Sequence, residues 1–173
     1  MLNDNDNGTL WRCPNIVTLC LDSYNKEQQQ GRLYHRYTDS PIRFESLFAA
    51  ISQMDALYDD IHFPYASTET RSFFTDRRAR EQMIRRSKKI PELTEHRRKD
   101  MIEMATFDQV TEQRGTDATF IIRVSHRQHS SWQGEVTWVD GRKKEYFRSA
   151  LELVKMIDGV LSNAEETDEE KEL

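Results

Sequence analysis

The chain has 173 residues, of which 36% are hydrophobic and 32% charged, and 25 Lys or Arg against 30 Asp or Glu give it a formal net charge of −5. No run of about 18 apolar residues exists, which excludes a membrane-spanning helix, and the length suits one or two small domains with a modest core and a strongly solvated surface. The start, Met-Leu-Asn-Asp-Asn-Asp, lacks the basic and apolar regions of a signal peptide, and two cysteines, Cys13 and Cys20, are too few for a disulfide framework. Free thiols and a cytoplasmic location are therefore expected.

Residues 1–12 are expected to be a disordered N-terminus. In the first unit, 13–65, Val17, Leu19 and Leu21 alternate with Thr18, Cys20 and Asp22, the period of a half-buried strand over Asn15 to Tyr24. Asn-Lys-Glu-Gln-Gln-Gln is a polar loop, Gly31 to Tyr37 a second strand, and Thr-Asp-Ser-Pro a turn into a short third strand, Ile42 to Phe44. The period then changes. Leu47, Phe48, Ile51, Met54, Tyr58 and Ile61 recur at three and four residues, predicting an amphipathic helix that ends at His62-Phe-Pro64.

The next segment, 66–116, is a basic insertion. Between Arg71 and Lys99 it holds 11 Arg or Lys against four acidic residues, a local charge of about seven positive, leaving about 12 negative for the remainder. Arg77, Arg78, Arg80, Arg85, Arg86, Lys88 and Lys89 fall in a helix-compatible stretch with Met83 and Ile84, broken by Pro91. A second helical pattern runs from Leu93 to Val110, with Met101, Met104 and Phe107 as apolar contacts. Two readings fit the insertion: a solvated connector whose arginines pair with the chain's own acidic surface, or a contact surface for phosphates, to which arginine is suited by its bidentate geometry. In the second reading Arg71, Arg77, Arg78, Arg80, Arg85, Arg86, Lys88 and Lys89 are the partner- or nucleic-acid-binding residues, and Phe73 and Phe74 stand either in the core or ready to stack on bases.

The second unit, 117–163, places Phe120, Ile122 and Val124 on one face of a strand, and Trp132, Val136 and Trp138 on one face of the next. Asp140-Gly141 favours a type I′ hairpin turn into a third strand, Lys143 to Phe147. Ser149-Ala-Leu-Glu152 has the pattern of a capping box at the head of a helix whose buried stripe is Leu151, Val154, Ile157 and Leu161. That helix is expected to stop near Asn163, leaving 164–173 as a disordered acidic tail.

The two units are versions of one another. Residues 15–59 align without a gap onto 118–162 at an offset of 103, matching Leu19 with Ile122, Gly31 with Gly134, Phe44 with Phe147, Ser46 with Ser149, Met54 with Ile157 and Asp55 with Asp158. Each copy of about 45 residues is marginal alone, so the copies should pack on each other. The expected architecture is α+β, with tandem duplicated β-β-β-α units, antiparallel sheets covered by their own helices, and the basic helical insertion as the join. Whether the sheets merge is left open.

No Gly-rich phosphate loop, nucleophile elbow or His-Glu-x-x-His helix is present, and the chain is expected to be non-enzymatic, without a cofactor or metal. His126, His129, Cys13 and Cys20 are suitable zinc ligands by type, but nothing in their spacing forces them together; the histidines fit a solvated hairpin end. Asp55 and Asp158, at matched helix positions, suit either a paired acid and base or, as expected of carboxylates beside an apolar stripe, a bond to an arginine or an amide of their own unit. Trp132 and Trp138 fit a core wall better than a ligand platform.

The string Trp132-Gln-Gly-Glu-Val-Thr-Trp138, its turn, and Phe147-Arg-Ser-Ala-Leu-Glu-Leu153 resemble a small-protein family common on mobile elements of gut bacteria. With Cys13-Pro-Asn-Ile-Val-Thr-Leu-Cys20 and Gly31-Arg-Leu-Tyr-His35 ahead of a basic middle, the whole chain is similar to a broad-spectrum type II-A anti-CRISPR family that inhibits Cas9. The resemblance implies a stoichiometric inhibitor that binds the Cas9–guide RNA complex and blocks target DNA engagement. It supplies no motif of functional residues to carry over. The competing expectation is a nucleic-acid-binding accessory protein of a mobile element, with the basic insertion contacting DNA or RNA.

Overall fold

The computed structural model describes residues 13–24, 28–66, 104–128 and 131–169, with side chains through Ser162 in the last segment. Residues 1–12 and 67–103 lie outside these, so the expectations for the N-terminus, for Phe73 and Phe74 and for most of the insertion fall beyond the described residues. The elements are β1 (Ile16–Tyr24), β2 (Gln29–His35), β3 (Ile42–Phe44), α1 (Leu47–Asp60), α2 (Phe107–Thr111), β4 (Ala118–His126), β5 (Gln133–Trp138), β6 (Lys143–Phe147) and α3 (Ala150–Glu169). The protein is α+β, and its strands form one six-stranded antiparallel sheet in the order β3-β2-β1-β4-β5-β6.

β1 and β4 meet at the centre, pairing Val17 with Ile122, Thr18 with Ile121 and Leu19 with Phe120. The offset of 103 makes Thr18 and Ile121 counterparts, and these two face each other, so the ladder reads alike in either direction from that pair. Register shifts fall at counterpart places too, between Leu21 and Ser23 and between Val124 and His126. Gly31 stands opposite Phe44, and Gly134 opposite Phe147. A Cβ at Gly31 would overlap the Cys20 carbonyl and come within 2.6 Å of the Phe44 ring; at Gly134 it would overlap the Arg123 carbonyl and reach 2.9 Å from the Phe147 ring. Each glycine thus opens the space into which a fully desolvated phenylalanine lies, and each ring is worth about 1.5–3 kcal/mol of burial.

A single core gathers Val17, Leu19, Leu21, Leu33, Phe120, Ile122, Val124 and Val136 from the sheet, Leu47, Ala50, Met54, Leu57 and Tyr58 from α1, and Leu153, Ile157 and Leu161 from α3. The helical stripes differ from expectation at one matched position each. Phe48 is 81% exposed and Leu151 64% exposed. At 100° per residue Phe48 lies off the row Leu47–Ala50–Met54–Leu57, and Leu151 lies almost opposite Leu153, which heads the i, i+4 row Leu153–Ile157–Leu161.

Ser46 caps α1 by accepting from the Ala49 amide. Ser149 likewise accepts from Glu152 N, while the Glu152 carboxylate reaches the Arg148 amide at 2.6 Å and also the Arg148 guanidinium. The reach-back therefore extends one residue beyond a standard capping box. α1 ends in a Schellman arrangement, with Phe63 N donating to Tyr58 O and His62 N to Asp59 O, and His62 takes φ 52° as the left-handed residue.

α3 runs on to Glu169, past the expected stop at Asn163, because Ala164, Glu165 and Glu166 are good helix formers. The Asp140-Gly141 turn is not type I′: Gly141 has no positive φ, and Arg142 takes φ 52° instead. Val139 to Arg142 form a four-residue loop closed by Arg142 N donating to Val139 O. Gly141 is needed there because a Cβ would strike the Trp138 ring.

β1 is buried on both faces, not one, with Ile16, Thr18 and Cys20 as inaccessible as Val17, Leu19 and Leu21. The back face is crossed by the segment 104–117, where Met104 N and Ala105 N donate to Arg36 O, Gly115 N to Thr119 Oγ1 and Asp117 N to Leu21 O. Its short helix α2, capped by a Thr106–Gln109 box, buries Val110 against the fold. Within the expected helical stretch Leu93 to Val110, the described residues show only this last turn, and Met104 is 52% exposed rather than an apolar contact.

Candidate functional site

The residues singled out as a nucleic-acid surface, Arg71, Arg77, Arg78, Arg80, Arg85, Arg86, Lys88 and Lys89, all lie outside the described residues. His129 does also. Of the other zinc candidates, His126 is exposed at the end of β4, Cys13 Sγ lies 3.7 Å from Arg123 Nη1, and Cys20 is fully buried, its thiol pushed up to about 11 by burial. Neither cysteine is in a disulfide, and among the described residues no three His, Cys, Asp or Glu side chains are grouped to hold a metal.

Arg127, which the sequence did not single out, is with Glu135 the least exposed charged residue among the described residues. It follows β4 directly and is only 6% exposed. Its Nη2 donates to Asp55 Oδ1 at 2.8 Å and to Asp59 Oδ1 at 2.6 Å, both one turn apart on α1, and its Nη1 to Pro64 O at 3.5 Å. The guanidinium also stands 5.9 Å from the centroid of the buried Tyr58 ring, which packs edge-on against Trp132 at 5.4 Å. Burial raises the Asp55 carboxyl above its ordinary value, and Arg127 and a hydrogen bond from Trp132 pull it back. Trp132 is thus core wall and carboxylate donor together.

The counterpart constellation is built on the other helix. Tyr24, at the end of β1, donates its hydroxyl to Asp158 at 2.9 Å and lies 3.4 Å from Ser162 Oγ. The offset of 103 takes Tyr24 to Arg127, Asp55 to Asp158 and Asp59 to Ser162. Each helix carboxylate therefore bonds a strand-end donor from the opposite half of the chain, not from its own unit as expected, because β1 and β4 pair antiparallel at the sheet centre and each ends beside the other half. Asp55 and Asp158 are not brought together as an acid and base. The signal that finds this arrangement in sequence is a hydrogen-bond donor at 24 and 127 recurring with a carboxylate at 55 and 158.

The rest of the polar surface divides by face. α1 carries Asp55, Asp59 and Asp60 with no Lys or Arg, and α3 carries six acidic residues against Lys155 alone. On the back of the sheet, Arg32 forks onto Asp22 through Nε at 2.6 Å and Nη2 at 2.7 Å, which holds the Asp22 carboxyl below its ordinary value. In the other half Glu135, the counterpart of Arg32, lies between Arg123 at 3.1 Å and Lys144 at 3.0 Å. Among the described residues no helix is long and apolar enough to cross a membrane. Comparison with protein-family models, with curated proteins and with solved structures finds no match to this chain.

Proposed function

We propose that the protein is a non-enzymatic inhibitor that binds the Cas9–guide RNA complex in the cytoplasm and blocks its engagement of target DNA. In this reading the chain is a tandem duplication of a β-β-β-α unit joined by a basic helical insertion. The observation that carries it is the segregation of charge: α1 and α3 together bear nine acidic residues against one Lys, while residues 71–99 carry 11 Arg or Lys. Cas9 holds nucleic acid in a positively charged channel. An acidic helical layer is attracted to such a channel, and the pull is strongest where low-dielectric walls focus the field. The two-part layout, with Cys13 to Cys20 and Gly31 to His35 ahead of a basic middle, by which the whole chain is similar to the anti-CRISPR family, adds to this support.

Capture of guide-loaded Cas9 by the immobilised protein at about 150 mM salt, where weak phosphate contacts are suppressed, tests the reading. Retention of the complex but not of free duplex DNA is expected. The second reading, a nucleic-acid-binding accessory protein of a mobile element, is favoured by the basic stretch from Arg71 to Lys99, and retention of DNA or RNA without Cas9 would select it.

A further inference from the structure

β2 and β3 place Arg32 and Arg43 directly opposite one another. Like charges so paired on one face of a sheet destabilise it unless an anion is shared between them. Asp22 supplies a carboxylate beside them, and Arg32 takes both of its oxygens. Arg32 is fully committed: Nη1 donates to the Tyr34 hydroxyl at 2.6 Å, Nη2 also reaches Arg114 O at 3.1 Å, and the guanidinium carbon stands 5.6 Å from the Tyr34 ring centroid. Arg43 and Arg114 are exposed beside it. The guanidinium groups of Arg32 and Arg43 and a half-exposed tyrosine thus lie around Asp22, while Arg114, whose carbonyl accepts from Arg32, donates its Nη1 to the Thr111 and Gln113 carbonyls at the edge of the patch. The corresponding place in the other half differs, since Glu135 is there flanked by Arg123 and Lys144 and the charges alternate.

We infer that this back face of β2 and β3 binds single-stranded nucleic acid, with Arg43 and Arg114 on successive phosphates and Tyr34, braced by Arg32, against a base. Guanidinium suits phosphate geometrically, and a flat sheet face with an aromatic side chain is a stacking platform for unpaired bases. Arg32 is a positioning residue that fixes the Tyr34 ring. The inference stands independently of the Cas9 reading, because it concerns free oligonucleotide and residues outside the basic stretch Arg71 to Lys99.

The test is fluorescence anisotropy of labelled single-stranded RNA and DNA and of duplex DNA across a salt series, with the full chain. The double variant Arg43→Glu/Arg114→Glu should weaken single-strand binding about tenfold or more and flatten the salt dependence by about 1.4 in log–log slope, about 0.7 for each of two phosphates. The control Lys143→Glu, an exposed cation on β6, should change affinity less than about twofold, since it leaves both phosphate contacts in place. Unchanged unfolding midpoints certify that the variants fold. Single-strand affinity within twofold of the parent for Arg43→Glu/Arg114→Glu overturns the inference, as does an equal loss from Lys143→Glu. Displacement of the oligonucleotide by poly-glutamate as readily as by unlabelled RNA also overturns it, by pointing to an acidic protein instead.

Discussion

Arg127 joins the end of β4 to α1, and its removal and the removal of its carboxylates should have unequal costs. The guanidinium is 6% exposed, whereas the Asp55 and Asp59 side chains are 46% and 33% exposed. Asp55→Asn/Asp59→Asn leaves a desolvated cation donating to the Pro64 carbonyl at 3.5 Å without its two carboxylates, and a buried charge stripped of its partner costs about 3–5 kcal/mol. Arg127→Met keeps apolar contact with Tyr58 and leaves two carboxylates that reach water, so its cost is that of the lost charge-assisted bonds, about 1.5–3 kcal/mol. The triple variant Asp55→Asn/Asp59→Asn/Arg127→Met should be more stable than Asp55→Asn/Asp59→Asn by about 1 kcal/mol or more, because the buried charge has gone. Urea unfolding followed by tryptophan fluorescence measures all three, with Trp132 packed on Tyr58 in the same cluster. A loss below about 0.5 kcal/mol for Asp55→Asn/Asp59→Asn would show that Arg127 is solvated in the native state, since it is the size expected of a surface pair.

Three further outcomes follow from single residues. His35 is buried with its pKa lowered to about 4 from 6.5, and its Nδ1 accepts from the Tyr37 amide, so the native state holds it neutral. The unfolded chain binds the extra proton between those values; stability should therefore fall by about 2 kcal/mol from pH 7.5 to pH 5 relative to His35→Leu, and equal pH slopes for the two proteins would contradict this. Gly134→Ala should cost about 2 kcal/mol or more in chemical denaturation, because the added methyl meets the Arg123 carbonyl as well as the Phe147 ring; a neutral result would mean that β5 shifts freely. Gly159→Ala should stabilise by about 1 kcal/mol on thermal unfolding, since nothing lies within 4 Å of the new methyl and helical glycine is unfavourable. Destabilisation there would show that the bare position is used in packing.

The periodicities at two and at 3.6 residues were strong enough in the sequence to place six strands and two long helices, and the offset of 103 placed Gly31 with Gly134 and Phe44 with Phe147 before their packing reason was visible. What periodicity does not encode is which of two adjacent apolar residues a helix turns inward, and Phe48 and Leu151, whose spacing suits the stripes, both point away from them. Nor does it show what lies over a strand. Thr18 and Cys20 read as the wet face of β1 because the segment 104–117 that crosses that region is far off in sequence. Arg127 was illegible for a related reason: an arginine after a strand looks solvated until α1 of the other half brings Asp55 and Asp59 to it. The Asp140-Gly141 dipeptide satisfied the chemistry of a type I′ turn, yet the loop is two residues longer and the glycine serves the Trp138 ring.

The proposed stoichiometric inhibition is tested most directly by target DNA cleavage by guide-loaded Cas9 titrated with the purified protein. Cleavage should be lost as the protein reaches equimolarity with the complex, with target DNA no longer bound. Full-rate cleavage in the presence of excess folded protein would contradict it.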